Sequence, residues 1–153
     1  ISNPGHEFIY KKFSKKQIDS LLRLSKSLIK KYKIKSQNIL GHSDIAPTRK
    51  KDPGEKFPWK YLAKNKIGLW HNVKSLVLKS NRGYKTSSVD KKNFFKNLLK
   101  LGYSKKNPKN FNKNKLQLLI TKAFQRRYRQ ELITGKIDKE CLIISQNLIK
   151  KIS

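Results

Sequence analysis

The 153-residue chain contains no methionine, a single cysteine and only nine acidic residues. One cysteine, Cys141, excludes a disulfide within the chain, and we expect it to be a buried thiol on a helix. The longest apolar runs are a few residues each, whereas a membrane-spanning helix needs about 20, so we expect a soluble chain without a transmembrane segment. With no methionine and an apolar Ile1, the chain shows no initiator and no export signal, and we expect a C-terminal fragment of a longer protein.

Positive charge dominates the composition. The chain has 38 Lys and Arg residues against 9 Asp and Glu, for a formal net charge of +29, and such a charge attracts polyanions. The lysines are spread along the whole chain, without an arginine-rich recognition helix or alternating aromatic and basic residues. A proteome biased toward Lys, Ile and Asn gives the same composition. We therefore predict no specific nucleic-acid partner and keep a cationic nucleic-acid-binding protein as an alternative; anionic wall polymers and acidic lipid headgroups would also be attracted.

The stretch from Gly41 to Gly54, GHSDIAPTRKKDPG, combines metal-binding side chains with glycines and prolines that fix a loop. An imidazole nitrogen of His42 and a carboxylate oxygen of Asp52 are both ligands that zinc accepts in proteins. Lys50 lies two residues before Asp52 and could meet negative charge that develops on a substrate. Catalytic zinc sites ordinarily use three protein ligands and a water, so a further ligand must come from elsewhere in the chain or from outside it.

Other side chains near this loop have plainer roles. Asp44 lies two residues after the histidine, and we expect it to fix the loop by accepting hydrogen bonds from backbone amides. His6 lies in a predicted turn and His71 at a predicted domain edge, so neither is assigned as the further ligand. Trp59 and Trp70 are expected to anchor the core rather than to stack on sugars.

The string GHSDIAPTRKKDPG, followed by Phe57, Pro58 and Trp59, resembles the C-terminal half of the type-2 N-acetylmuramoyl-L-alanine amidases. The resemblance implies a zinc enzyme that cleaves the amide between N-acetylmuramic acid and the L-alanine of the peptidoglycan stem peptide. It implies that His42 and Asp52 are zinc ligands and that Lys50 is a catalytic residue that supports the transition state. A further zinc histidine and the general-acid/base glutamate of that family are expected upstream of Ile1, so we expect the chain alone to be inactive.

Helical periodicity in the first half predicts a helix from about Ser14 to Tyr32, with Ser14 and Gln17 forming a capping box. The run from Asn38 to Leu40 is interpreted as a strand end that delivers His42 to the edge of a sheet. A short helix is predicted to begin near Trp59. The apolar stripe of the first helix consists of Ile18, Leu21, Leu22, Leu28 and Ile29.

Three further helices are predicted at Asp90–Leu101, Lys113–Tyr128 and Asp138–Ile152, which suffice for a small three-helix bundle. The strings LGY, AFQRRYR and TGKID in this half resemble the helical peptidoglycan-binding module that often follows type-2 amidases. Gln125, Arg127 and Tyr128 lie near the matching strings but are not assigned to a binding groove. The predicted core faces are Phe94, Leu98 and Leu101; Leu116, Leu119, Ile120, Ala123 and Phe124; and Leu142, Ile144, Leu148 and Ile149.

These observations predict an α+β fold, in which a partial amidase domain with helices on remnants of a mixed sheet precedes the three-helix bundle. The predicted divisions are residues 1–76 for the amidase part, 77–90 for a linker and 91–153 for the peptidoglycan-binding-like domain. We expect a monomeric zinc amidase that acts on peptidoglycan or muropeptides in the periplasm or cell envelope, in preference to cytoplasmic muropeptide recycling. A noncatalytic peptidoglycan-binding protein is the other alternative.

Overall fold

The computed structural model describes residue 9, residues 11–103 and residues 112–153. The regular structure in these ranges is helical. A 3₁₀ turn at Ser36–Asn38 lies between the first two α-helices. The α-helices are α1 (Lys15–Tyr32), α2 (His42–Ile45), α3 (Trp59–Lys64), α4 (Ser75–Asn81), α5 (Ser88–Lys100), α6 (Lys113–Tyr128) and α7 (Lys139–Lys150).

The predicted α+β class with a mixed sheet is wrong for this part of the chain, because the described residues contain no strand. Their only β-type pairing is an isolated antiparallel bridge between Lys85 and Asp138. At the predicted strand end the backbone bonds locally instead: the Asn38 amide donates to the Lys35 carbonyl at 2.9 Å, and the Ile39 amide donates to the Ser36 carbonyl at 3.3 Å. A turn and not a sheet edge therefore precedes His42. The predicted turn that contains His6 lies outside the described residues.

The start of α1 confirms the predicted capping box. The Ser14 hydroxyl accepts the Gln17 amide at 3.2 Å, and the Gln17 side chain accepts the Ser14 amide at 2.9 Å. Ile18 is buried, and Leu21, Leu22 and Ile29 pack on a cluster formed by Phe57, Trp59, Leu62 and Ile67.

One predicted core residue of α1 faces water. Leu28 is 40% exposed, and with Leu24 at 59% and Tyr32 at 61% it forms an apolar strip along the helix that we call the α1 ridge. These residues are spaced four apart, so they lie on one side of the helix. Part of the apolar surface of α1 is therefore exposed in the described part of the chain.

The three predicted C-terminal helices are present, with ends within two residues of the expected ones. The helix predicted from Asp90 begins at Ser88, because Ser87 is its N-cap and shares a capping box with Asp90. Asp138 caps α7 as predicted, accepting the Cys141 amide at 3.0 Å. Cys141 is buried, as expected, and burial raises the pKa of its thiol to about 12.

The core of this half joins α5, α6 and α7. It contains the predicted core residues except Leu119, which is half-buried outside the cluster, and Ile149, which is half-buried against it. Trp70 packs against both this cluster and the one beneath α1, and Trp59 is 5% exposed, as predicted for core anchors. Most of α4 falls within the predicted linker and packs against α7. The assignment of residues 77–90 to a linker between two domains stays a prediction.

A partly buried ionic network fastens the loop between α6 and α7. The Arg82 guanidinium donates to Glu140 at 2.7 Å and to Glu131 at 2.6 Å, and Arg129 pairs with Asp138 and Glu140. Arg129 and Glu140 are each about 1% exposed. Within the described ranges, no helix is both long enough and apolar enough to cross a bilayer.

Candidate functional site

The loop at residues 41–54 is closed by its own backbone. The Ser43 amide donates to the Asp52 carbonyl at 2.9 Å, which brings the end of the loop back to its beginning. A Cβ atom at Gly41 would lie 2.9 Å from the Pro53 ring and 3.1 Å from the Trp59 ring, so glycine is needed there. The closure places the side chains at 42 and 52 on the same side of the loop.

His42 and Asp52 converge as the zinc-site hypothesis requires. The Nδ1 atom of His42, the first residue of α2, lies 3.1 Å from the Oδ2 atom of Asp52. Two ligand atoms about 2.0–2.1 Å from a tetrahedral zinc lie about 3.3 Å apart, so the pair fits two adjacent positions of such a site. Both side chains are about half exposed, which leaves the pair open to a metal and a substrate.

The described residues do not supply a third ligand: within them, no group of three or more His, Cys, Asp or Glu side chains could hold a metal. His71 instead stacks on Trp70, with ring centroids 5.1 Å apart. Burial, followed by the charges of Lys60 and Lys151, lowers the pKa of His71 to about 4, so this imidazole is neutral at pH 7.

Asp44 has the structural role predicted for it, and it also has two partners that were not predicted. Its Oδ2 atom accepts the Gly41 amide at 2.8 Å and the Arg127 Nη1 donor at 2.6 Å. Its Oδ1 atom accepts the Tyr103 hydroxyl at 2.8 Å. Burial, and then the charge of Asp44, hold the pKa of Tyr103 well above its ordinary value, so the hydroxyl keeps its proton and donates.

Lys50 lies on the wall of a groove of about 480 Å³ between the loop and α6. The loop wall includes Arg49, Lys50 and Glu55, and the α6 wall includes Lys122 beside the aliphatic Leu119. This position explains why Leu119 is absent from the bundle core. The charged residues of the groove are therefore mostly cationic, much of the remaining lining is apolar, and the residue predicted to be catalytic is part of its wall.

The residues near the module-like strings are used inside the protein. Gln125 is fully buried, donating to the Lys136 carbonyl at 2.8 Å and accepting the Gly135 amide at 2.8 Å. Arg127 is 2% exposed and Tyr128 is 6% exposed. These three side chains therefore do not line a surface groove.

The ties from Arg127 and Tyr103 to the loop were missed from the sequence. Arg127 follows the core residue Phe124 by three positions, and this spacing puts it on the inward face of α6. An inward arginine indicates a buried partner, since charged side chains are almost never fully buried unpaired. The partner, Asp44, is 83 residues away and no local pattern identifies it.

Comparison with known proteins finds the same family that the loop motif resembles. Residues 2–55 match the family model described as N-acetylmuramoyl-L-alanine amidase. The N-acetylmuramoyl-L-alanine amidase AmiD of Escherichia coli K12 is 34% identical over 139 residues, which cover 91% of this chain and 49% of AmiD. The 1,6-anhydro-N-acetylmuramyl-L-alanine amidase AmpD of Enterobacter cloacae is 49% identical over 43 residues, covering 28% of this chain and 23% of AmpD.

Solved structures share the fold over nearly the whole chain. E. coli AmiD in complex with its substrate anhydro-N-acetylmuramic acid-L-Ala-D-γ-Glu-L-Lys has a TM-score of 0.78 at 32% identity, covering 96% of this chain and 56% of that one. AmpDh3 of Pseudomonas aeruginosa in complex with anhydromuramic pentapeptide has a TM-score of 0.79 at 26% identity, covering 98% and 60%. The chain spans about half the length of AmiD. By sequence and by fold, the chain is therefore similar to the type-2 N-acetylmuramoyl-L-alanine amidases.

Proposed function

We propose that this chain carries part of the active site of a zinc-dependent N-acetylmuramoyl-L-alanine amidase, which hydrolyses the amide between N-acetylmuramic acid and the L-alanine of the stem peptide. The observation that carries the proposal is the 3.1 Å approach of His42 Nδ1 to Asp52 Oδ2 inside the GHSDIAPTRKKDPG loop. These two atoms have the chemistry and the spacing of zinc ligands. Zinc, when bound, supplies Lewis acidity toward the amide carbonyl.

Lys50 is the proposed catalytic residue of this chain. Lys50 lines the groove two residues before Asp52, where its ammonium group can face negative charge that develops on the carbonyl oxygen during hydrolysis. A preorganised cation at that position stabilises the transition state more than the ground state. The role of Lys50 is therefore in turnover more than in binding.

The cationic groove suits the anionic part of a muropeptide. The substrate in the AmiD complex contains a γ-linked glutamate, whose α-carboxylate is free. Lys122 on the α6 wall could pair with such a carboxylate while Leu119 contacts aliphatic parts of the peptide. The groove thus supports the proposal that the stem peptide lies between the loop and α6.

Residues 91–153 are proposed to serve as a peptidoglycan-binding module. A second, weaker contact with the polymer would raise the local concentration of the catalytic site on its substrate. Together with the net charge, this module favours a monomeric enzyme of the periplasm or cell envelope acting on peptidoglycan. In a muropeptide-recycling enzyme, such a polymer contact would bring no advantage.

The test measures zinc and hydrolysis in the protein expressed from its complete open reading frame. Zinc content is measured after dialysis, and release of stem peptide from anhydro-N-acetylmuramic acid-L-Ala-D-γ-Glu-L-Lys is followed by chromatography. His42→Ala and Asp52→Ala should each lose bound zinc and hydrolysis together. Asp19→Asn, which removes an acidic charge from α1, is the matched control and should change neither.

Three results would overturn the proposal. Zinc stoichiometry that is unchanged in both variants would remove the ligand assignment. Sedimentation with insoluble peptidoglycan without any hydrolysis would indicate a noncatalytic wall-binding protein. Salt-sensitive DNA binding that persists in excess wall material would favour the nucleic-acid alternative.

A further inference from the structure

Asp44 connects the loop to the C-terminal half of the chain through a fully buried carboxylate. The side chain is 2% exposed, yet it lies only two residues from His42 in the single helical turn of α2. Its three donors come from three places: the Gly41 amide, the Tyr103 hydroxyl after α5, and the Arg127 guanidinium on α6. Two of the three donors thus belong to the C-terminal helical region.

Arg127 also holds the segment that leads into α2. Its Nη2 atom donates to the Ile39 carbonyl at 3.0 Å, and its guanidinium carbon lies 4.1 Å from the centre of the Trp59 ring. The same Trp59 ring packs under Gly41, where a Cβ atom would come within 3.1 Å. One guanidinium therefore touches the chain on both sides of the point where α2 begins.

Loss of the Arg127 charge would leave the Asp44 carboxylate buried without a counter-ion. A buried unpaired charge is far less tolerable than a solvated one, so the turn that carries the carboxylate would be destabilised in its buried position. α2 is only four residues long and carries Asp44 and His42 on the same turn. Movement of Asp44 toward water would therefore move His42 away from Asp52.

We propose that Arg127 and Tyr103 are positioning residues of the metal site: through Asp44 they fix the turn that carries His42 and thereby set the affinity for zinc. The inference rests on the proposed function, because it assigns the His42 and Asp52 pair to zinc. It makes the C-terminal helices part of the construction of the site. Both side chains are buried and act through Asp44.

The experiment compares two buried arginines, Arg127 on α6 and Arg129 directly after the end of α6. Arg127→Met breaks the pair with Asp44, whereas Arg129→Met breaks the pairs with Asp138 and Glu140, which do not touch the loop. Zinc affinity is measured by competition with a chromophoric chelator, and thermal unfolding is measured on the same samples. Outer-shell partners of metal ligands typically contribute about 10–100-fold in affinity.

We expect Arg127→Met to weaken zinc binding by about 10–100-fold and Arg129→Met to leave it unchanged, although both lower the unfolding temperature. Tyr103→Phe removes one hydrogen bond without a charge and should weaken binding by a smaller factor, which keeps the test usable if Arg127→Met does not fold. Asp44→Asn combined with Arg127→Met leaves no unpaired buried charge and should recover part of the affinity. Equal losses of zinc affinity in Arg127→Met and Arg129→Met would overturn the proposal.

A second measurement on metal-free protein does not depend on zinc. Amide hydrogen exchange of residues 41–46 should accelerate in Arg127→Met and Tyr103→Phe but not in Arg129→Met. If the unaltered protein binds no zinc, the proposed function fails, and the exchange result still shows whether the two residues hold the turn. Unchanged exchange in Arg127→Met would overturn the positioning role.

Discussion

The free energy of unfolding should fall in mild acid because of one histidine. The imidazole of His71 packs on Trp70, and its Nδ1 atom is buried without a hydrogen-bond partner in the described part of the chain. Burial and the charges of Lys60 and Lys151 lower its pKa from 6.5 to about 4. Below pH 6.5 the unfolded chain gains a proton at this residue while the folded chain does not, so acid favours unfolding.

The size of the effect follows from the two pKa values. A fall from 6.5 to about 4, at 1.36 kcal/mol per pH unit, corresponds to about 3 kcal/mol. His71 is partly exposed, and water screens part of that cost, so we expect about 1–2 kcal/mol. This stability is fully present above pH 6.5 and is lost as the pH falls from 6.5 through about 4.

The assay is urea unfolding at several pH values between 7 and 4, performed on metal-free protein and on His71→Phe. The phenyl ring keeps the contact with Trp70 but cannot titrate, so the variant should lose about 1–2 kcal/mol less than the unaltered protein over this range. Comparison with the variant cancels the protonation of carboxylates, which both proteins share. Lys60→Gln, which removes one of the two repelling charges, should give an intermediate slope. Parallel pH profiles for all three proteins would refute the reasoning.

Three further outcomes test the site and the core. In the protein expressed from its complete open reading frame, Lys50→Ala should lower kcat on the order of a hundredfold with little change in KM, measured on a synthetic muropeptide. Lys122→Glu should raise KM on the order of tenfold for a substrate with a free α-carboxylate on its γ-linked glutamate, and less for the α-amidated analogue. Phe94 is fully buried and lies 5.1 Å from the Phe124 ring, so Phe94→Ala should lower the free energy of unfolding by about 3–5 kcal/mol in a urea titration.

Each outcome has a control and a contradicting result. For Lys50, the control is Arg49→Ala on the same groove wall, which should leave kcat within a few-fold of the unaltered value. Equal losses of kcat and substrate affinity in Lys50→Ala would contradict a transition-state role. For Lys122, the control is Lys139→Glu, which reverses an exposed charge away from the groove. If Lys139→Glu raised KM as much as Lys122→Glu, the effect would be one of general charge and not of the groove. A loss below 1 kcal/mol for Phe94→Ala would contradict the packing at that position.

The parts of the fold that depend on neighbouring residues could be predicted from the sequence. The capping box of Ser14 and Gln17 and the N-cap at Asp138 use hydrogen bonds between residues three apart, so a short motif is sufficient to predict them. The same holds for the amide that Asp44 accepts from Gly41. The approach of His42 to Asp52 was expected from the resemblance of the loop to the amidases, and its assignment to zinc remains a proposal.

The features that depend on distant residues could not be predicted. Leu28 shares the helical spacing of the buried residues of α1, but burial depends on what packs against each side, which periodicity does not report. Asn38 to Leu40 was taken for a strand end because three residues are too few to separate an extended run from a 3₁₀ turn. Arg127 is recognisable as an inward arginine, but its partner lies 83 positions earlier in the chain.

The α1 ridge makes the colloidal behaviour of this chain depend on ionic strength. Leu24, Leu28 and Tyr32 offer an apolar strip through which two molecules could adhere, while a formal charge of +29 on each holds them apart. The electrostatic range shrinks from about 30 Å at 0.01 M salt to about 3 Å at 1 M, whereas apolar adhesion is not screened. Concentrated solutions should therefore stay clear in dilute buffer and turn cloudy when salt is added. Proteins that attract one another mainly through opposite charges show the reverse, because salt weakens their attraction.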